Sequence, residues 1–409
     1  MKIAVIGQGA REHAISEKLL KEKNRVYWIN DNNPTNYSVK IKINDFEKIY
    51  DFLKEKNIDL IIPGPEILLA NGITDFFEKK GIRVIGPKKK YTFLETSKSE
   101  AKKFMKRNNV QTADFKIFKN DYNGIIKEIE KKDGKIALKY DFLAAGKGVF
   151  VSKNKETALN NLDFIIKNFG NSIIAEEKLN GREISVITIT DGETIKILPP
   201  ATDYKLSADN NKGYNTGGMG AITLPDMINR EIMNEIKEKI IYPTLNGFKK
   251  ENIFYKGFLY FGIMITQKGP FLLEYNIRLG DPETQVILPS LKSSFTELIL
   301  NTVSNKLNTI KNPSFQNDYY MTLVLAGKGY PLKYETGKLI TIPKNNDCDI
   351  YYAGVKKEHG KLITSGGRVL NLVGHDKNLN ELRKKIYGCA EKIKFDNKYY
   401  RKDIGIIYD

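Results

Sequence analysis

The chain has 409 residues, enough for about three domains at ~100 to 200 residues each. It is 41% hydrophobic and 28% charged, with no run of ~18 apolar positions, so a globular protein without membrane-spanning helices is expected. Two cysteines are too few for a disulfide framework, and the +17 net charge is dispersed along a Lys- and Asn-rich chain with no RNP, zinc-finger or OB-type pattern, so neither nucleic acid nor membrane is expected as a partner.

The opening MKIAVIGQGAREHA turns polar after six residues and lacks the apolar stretch of a signal peptide, which points to the cytoplasm. KIAVIG, the glycines Gly7 and Gly9, and the helical spacing of Ala14, Ile15, Leu19 and Leu20 predict strand, tight turn and helix. RVYWIN (25–30), IDLIIPGPE (58–66) and IRVIGP (82–87) predict three further strands separated by helices, giving a small parallel α/β unit over the first ~95 residues. Backbone N–H groups where a glycine turn opens a helix hold anions. Arg11 and His13 add side chains suited to a phosphate-bearing ligand. A dinucleotide fingerprint requires glycine where Glu12 stands, although Asp31 keeps a nicotinamide reading open, as does a tight turn with no ligand.

SKSEAKKFMKRN (97–108) predicts a helix, followed by strands at 136–142, 148–152, 172–179 and 183–191 and a helix carrying Leu159, Leu162, Ile165 and Ile166. LKYDFLAAGKGVF (138–150) is no Walker loop, but a glycine-rich flap between two strands can cover phosphates, with Lys139 and Lys147 as point charges. In IIAEEKLNGREIS (173–185), a strand running into a linker can offer backbone groups to an adenine edge and carboxylates to ribose hydroxyls. SADNNKGYNTGGMG (207–220) has no apolar periodicity and predicts a functional loop.

Residues 229–249 predict a helix, and GFLYFGIMIT and PFLLEYNIR a hairpin turning at QKG. YMTLVLA (320–326) and GGRVLNLVG (366–374) predict strands, and 379–394 a final helix with Asn378 and Glu381 spaced as a capping box and Cys389 on its buried stripe. Within EYNIRLGDPETQ (274–285), Glu274, Asn276 and Arg278 alternate with Tyr275, Ile277 and Leu279, so one face of an extended chain is wholly polar. A carboxylate and an amide oxygen suit Mg²⁺ bridging nucleotide phosphates, and the guanidinium suits a transferring phosphoryl group.

LEYNIRLGDPETQ, with GQGAREHA, PGPE (63–66), SKSEAKKF, LAAGKGV, YNTGGMGA, GGRVL and YRKDIG (400–405) in the same order, resembles the phosphoribosylamine–glycine ligase family of the ATP-grasp superfamily over essentially the whole chain. The resemblance implies an α/β protein, α+β overall, with an ATP-grasp fold. A Rossmann-like N-terminal domain would span 1–96, an ATP-grasp domain 97–322 with a mobile lid at about 115–180, and a small, mostly-β C-terminal domain 323–409. It implies ATP as cofactor with Mg²⁺ or Mn²⁺, and glycine and 5-phosphoribosylamine as substrates of a monomer or weak homodimer. The product would be glycinamide ribonucleotide, an early intermediate of purine synthesis, formed through glycyl phosphate.

Carried over by motif, ATP would meet Lys102, Lys139, Glu176, Glu177, Leu179 and Glu183, and the metal Glu274 and Asn276. Arg278, Asp281 and Lys147 would be catalytic. Gly9, Arg11, Glu12, Asp203, Lys205, Asn215, Gly217, Gly218 and Met219 would bind substrate. Ala10, Asn30 to Asn33, Tyr204 and Tyr352 depart from the family pattern, at positions relevant to phosphoribosylamine. A sister carboxylate–amine ligase would share the nucleotide residues without RLGDPETQ and NTGGMG, and a dehydrogenase would rest on residues 7 to 31 alone.

Overall fold

The computed structural model describes residues 1–144 and 146–407. Its N-terminal part is a five-stranded parallel sheet ordered Ser38–Lys40, Arg25–Asn30, Lys2–Ile6, Leu60–Pro63, Arg83–Val84. Lys2–Ile6 is central, and Ile3 to Ile6 are fully buried because both faces are covered. Ala4 and Ile6 pack with Ile49, Leu53 and Phe77 on one side, and Ile3 and Val5 with Ile15, Leu19 and Val286 on the other. The strand ends at Gly7, whose φ of 145° is open only to glycine, and the turn delivers the helix Ala10–Lys21.

A four-stranded antiparallel sheet follows, ordered Phe115–Lys119, Ser172–Glu177, Ile136–Tyr140, Val149–Val151. Helices Tyr122–Lys131 and Lys155–Asn168 pack on it through Ile125, Ile129, Leu162 and Ile165, which with Leu138 and Ile173 form a separate small core. A second four-stranded sheet is ordered Ile195–Ile197, Arg182–Thr190, Gly257–Thr266, Gly269–Asn276, all antiparallel.

The remaining large sheet joins the middle of the chain to its end. Thr202–Asp203 and Gly220–Thr223 lie beside Tyr319–Gly327, Arg368–Asp376 and Asp349–Tyr352, with Lys398–Tyr399 also paired to Tyr319–Gly327. Helix Leu379–Lys392 covers it, capped by Asn378, whose Oδ1 accepts from the Asn380 and Glu381 N–H groups, and Cys389 is buried as expected.

Two local expectations change. The segment at 207–220 is partly a hairpin, Leu206–Ala208 against Lys212–Asn215, because positive-φ Asn210 and Asn211 make the turn. The helix expected over 229–249 is interrupted by a wide π turn at Lys237–Ile241, just before Pro243, which has no N–H to continue the regular ladder.

Candidate active site

The strand Gly269–Asn276 supplies the polar face. Tyr275, Ile277 and Leu279 are buried in the apolar cores, while Glu274, Asn276 and Arg278 line a cavity of ≈ 560 Å³. Glu274 opposes Gly262, where a Cβ would come within 3.2 Å of the Glu274 Cγ, so the small residue gives the carboxylate room. The strand stops at Asn276 and Arg278 stands in the bend beyond it, because the Ile277 N–H is taken by Glu95 Oε2 at 2.7 Å rather than by a neighbouring strand. The Arg278 guanidinium is held by Glu66 and Glu95, each at 3.2 Å, and by Asn276 Oδ1 at 3.2 Å. Burial pushes the Glu95 carboxyl up, to about 7, against the pull of Arg278.

Against the same strand, Glu176 sits between two lysines, 2.9 Å from the Nζ of Lys102 and 2.9 Å from that of Lys139, which also donates to the Leu273 carbonyl at 3.2 Å. All three are nearly fully buried. Burial lowers Lys102 to about 8 despite Glu176, and the two lysines hold the Glu176 carboxyl below its usual range although burial opposes its charge. Lys102 also donates to Thr112 Oγ1 at 2.6 Å. Glu177 and Leu179 line the cavity at the end of the strand Ser172–Glu177, alongside Lys178.

A third group is acidic. Lys205 is ion-paired with Glu183, and burial pushes the Asp203 carboxyl up, with Lys205 opposing and the Glu283 and Glu183 charges adding to the rise. The Glu183 and Asp203 carboxylates in turn raise Lys205, although burial opposes. Glu283 is buried and accepts from Ser185 Oγ at 2.9 Å, which is 2.8 Å from the Tyr260 hydroxyl.

The fourth group surrounds the turn after the polar strand. Asp281 Oδ2 is 2.7 Å from Arg368 Nη2, and its Oδ1 accepts from Gln285 Nε2 at 2.7 Å. Burial opposes the Asp281 charge, but Arg368 and Arg11 hold the carboxyl below its usual range. Arg368 also donates to the Gly217 carbonyl. Gly218, with φ 102°, packs so closely on Pro282 that a Cβ would lie 2.4 Å from its Cδ.

Fifteen of the twenty expected site residues line this one cavity: Lys102, Lys139, Glu176, Glu177, Leu179, Glu183, Glu274, Asn276, Arg278, Asp281, Arg11, Asp203, Lys205, Asn215 and Gly217. Five are not among its lining. Glu12 is turned inwards, its carboxylate accepting from the Gly9 N–H at 2.6 Å and from Arg11 Nε at 2.6 Å, so Gly9 and Glu12 tie the first turn together. Gly218 packs on Pro282, and Met219 is fully buried in the core below. Lys147 is exposed and donates to the Pro331 carbonyl at 3.3 Å, while its flap neighbours Gly146 and Gly148 line the cavity. Ala145 of the same flap lies outside the described residues.

Sequence reasoning missed Glu66, Glu95, Lys98, Glu283 and Arg368, which also line the cavity. Glu66 and Arg368 lie within PGPE and GGRVL, where the signal was at hand, whereas Glu95 is in no motif.

The site has the donors for a divalent cation. Burial opposes the Glu274 charge, yet Lys205, Lys139, Lys98 and Arg278 hold the carboxyl below its usual range. Among the described residues no group of three or more His, Cys, Asp or Glu forms a complete cage. One carboxylate and one amide suit Mg²⁺, which takes its other ligands from water and phosphate oxygens.

A family model described as Phosphoribosylglycinamide synthetase, N domain matches residues 1–95, its ATP-grasp (A) domain 96–284, and its C domain 320–406. The chain belongs to the phosphoribosylglycinamide synthetase family. It is 41% identical over 419 residues to a phosphoribosylamine–glycine ligase from Clostridium acetobutylicum, covering 99% of each chain. The crystal structure of phosphoribosylamine–glycine ligase from Thermotoga maritima superposes with a TM-score of 0.86 at 34% identity, over 99% of this chain and 100% of that one. At 16% identity and a TM-score of 0.72, over 98% of this chain and 91% of that one, the biotin carboxylase domain of a Hydrogenobacter thermophilus carboxylase shares the fold; that structure holds MgADP. Family membership removes the dehydrogenase reading, and Asp31 accepts from the Ile43 N–H instead. No helix among the described residues is long and apolar enough to cross a membrane.

Proposed function

We infer that the cavity joins glycine to 5-phosphoribosylamine at the expense of ATP, giving glycinamide ribonucleotide, ADP and phosphate, for purine synthesis. The chain is an ATP-dependent carbon–nitrogen ligase of the synthetase family. The observation that carries the site assignment is the meeting of two buried lysines, an oxygen-donor strand and a tethered guanidinium around one cavity.

In this reading Lys102 and Lys139 meet the nucleotide phosphates, displacing Glu176 from part of its pairing, while Glu177, Lys178 and Leu179 border the adenine and Glu183 the ribose. Glu274 and Asn276 would hold Mg²⁺, or Mn²⁺ in its place, and the bound ion would neutralise charge on the phosphate oxygens. A glycine carboxylate oxygen attacks the γ-phosphorus as its bond to the ADP oxygen breaks, and Arg278 faces the charge that develops there. The sugar amine then attacks the carbonyl carbon of glycyl phosphate, phosphate leaves, and the amine loses a proton. Glu283 adds a buried carboxylate beside the Lys205–Glu183 pair, and its charge suits the ammonium group of glycine, while the sugar amine must be neutral to attack. No protein nucleophile is needed, so the catalysis is positioning and electrostatics.

Residues 1–96, 97–322 and 323–409 form the three domains of this reading, with the sheet of residues 115–177 as lid. The test is ADP release from the purified protein. It should require glycine and freshly generated phosphoribosylamine together, and release driven equally by other amino acids or sugars would refute the substrate assignment.

A further inference from the structure

Arg278 has no regular strand to hold it. The ladder ends at Asn276, and the next two residues lie in a bend. A long side chain in such a place loses little by swinging away, and an electrostatic group misplaced by about 1 Å forfeits roughly a hundredfold in rate. Something must fix both the backbone and the guanidinium.

One carboxylate does both. Glu95 Oε2 accepts the Ile277 N–H at 2.7 Å, and Oε1 lies 3.2 Å from Arg278 Nη2. Its side chain is only 7% exposed. Glu66 meets the same guanidinium through Nε at 3.2 Å, but from a more exposed position, at 26%, and the Ile277 N–H of the bend goes to Glu95 instead. Glu95 belongs to the short helix Phe93–Thr96, which runs into Ser97, the cap of the helix Lys98–Arg107 that carries Lys102. The same few residues therefore lead from the clamp on Arg278 to the helix that carries Lys102.

We propose that Glu95 is the positioning residue for Arg278, clamping the end of the polar strand so that the guanidinium faces the transferring phosphoryl group. The inference rests on the reading of Arg278 given above. A clamp that acts through Arg278 alters turnover more than substrate affinity, and has nothing left to do once Arg278 is impaired.

The test is a double-substitution cycle on the full chain with Glu95→Gln, Glu95→Asp, Arg278→Lys and the Glu95→Gln/Arg278→Lys pair, each with a melting curve. Glu95→Gln should lower kcat by about ten- to a hundredfold with KM for ATP within about threefold, and Glu95→Asp, which keeps the charge, should recover part of the loss. The double variant should be no more than about twofold slower than Arg278→Lys alone. Should Glu95→Gln not fold, Glu95→Asp carries the test: a kcat loss at unchanged KM is expected, and unchanged kcat contradicts the clamp. A slow Arg278→Lys beside an unimpaired Glu95→Gln would overturn the role of Glu95 alone, as would additive losses in the pair. An unimpaired Arg278→Lys would overturn the reading of Arg278 and the clamp with it.

Discussion

Arg368 and Asp281, 87 residues apart in sequence, form an ion pair with Nη2 2.7 Å from Oδ2. The same guanidinium reaches the Gly217 carbonyl and, at 3.2 Å, the Asp281 carbonyl. It thus joins the C-terminal strand Arg368–Asp376 to the two loops that close one side of the cavity. Arg368→Met leaves the Asp281 carboxylate facing the cavity with less compensation, and kcat/KM should fall by about a hundredfold. Steady-state kinetics measure this, and a loss below about threefold would show that the pair does not shape the site.

Burial lowers the Lys102 ammonium to about 8, against the pull of Glu176. A lowered lysine sheds its proton at lower pH, and only the charged form attracts phosphate, so KM for ATP should rise as pH climbs through about 8 and beyond, while kcat changes less. Glu176→Gln removes the partner that favours the charged form and should shift this rise to lower pH. Initial rates across the range decide it, and a KM independent of pH up to about 9.5 would show that the Lys102 ammonium keeps its proton there and is not lowered by burial.

Asp141 is a stability element rather than a chemical one. Its carboxylate accepts from the Ser99 N–H at 2.8 Å, Ser99 Oγ at 2.7 Å, Ser97 Oγ at 3.0 Å and Ser172 Oγ at 3.1 Å. It pins the helix carrying Lys102 to the sheet of residues 115–177. Burial opposes its charge, but these bonds hold its pKa below the ordinary value of 3.8. The stabilisation is present above that value and is lost as pH falls through the folded pKa. Asp141→Ala should therefore lower stability at neutral pH by about 2–4 kcal/mol, with a smaller difference in strong acid. Denaturant titrations at the two pH values check this.

Lys147 is exposed, unlike the buried Lys102 and Lys139. A lysine in a glycine-rich flap matched a phosphate-binding role, but the side chain is exposed and bonds the Pro331 carbonyl. Lys147→Ala removes a single hydrogen bond worth ~1 kcal/mol, so KM for ATP should rise by no more than about fivefold and kcat should hold. A loss of kcat by two orders of magnitude or so would instead support the catalytic role expected from the motif.

The polar face of EYNIR was legible because period-two alternation is a local property of the chain, and Tyr275, Ile277 and Leu279 are buried as it requires. The parallel unit at the N-terminus was legible for the same reason, each strand being a short apolar run between turns. Glu95 was not, since its role depends on an amide and a guanidinium some 180 residues away, and no local pattern encodes that pairing. Glu12 and Met219 were assigned through their motifs, yet those positions support the turns from inside. A motif marks residues that build a site as well as residues that face it.

In the proposed reaction, glycine's carboxylate attacks ATP. With glycine carrying heavy oxygen in its carboxylate, the purified protein, ATP, Mg²⁺ and phosphoribosylamine should release inorganic phosphate containing one glycine-derived oxygen per turnover, because the bridging oxygen of glycyl phosphate leaves with the phosphate. Product formed at full rate with no heavy oxygen in the phosphate would contradict the account.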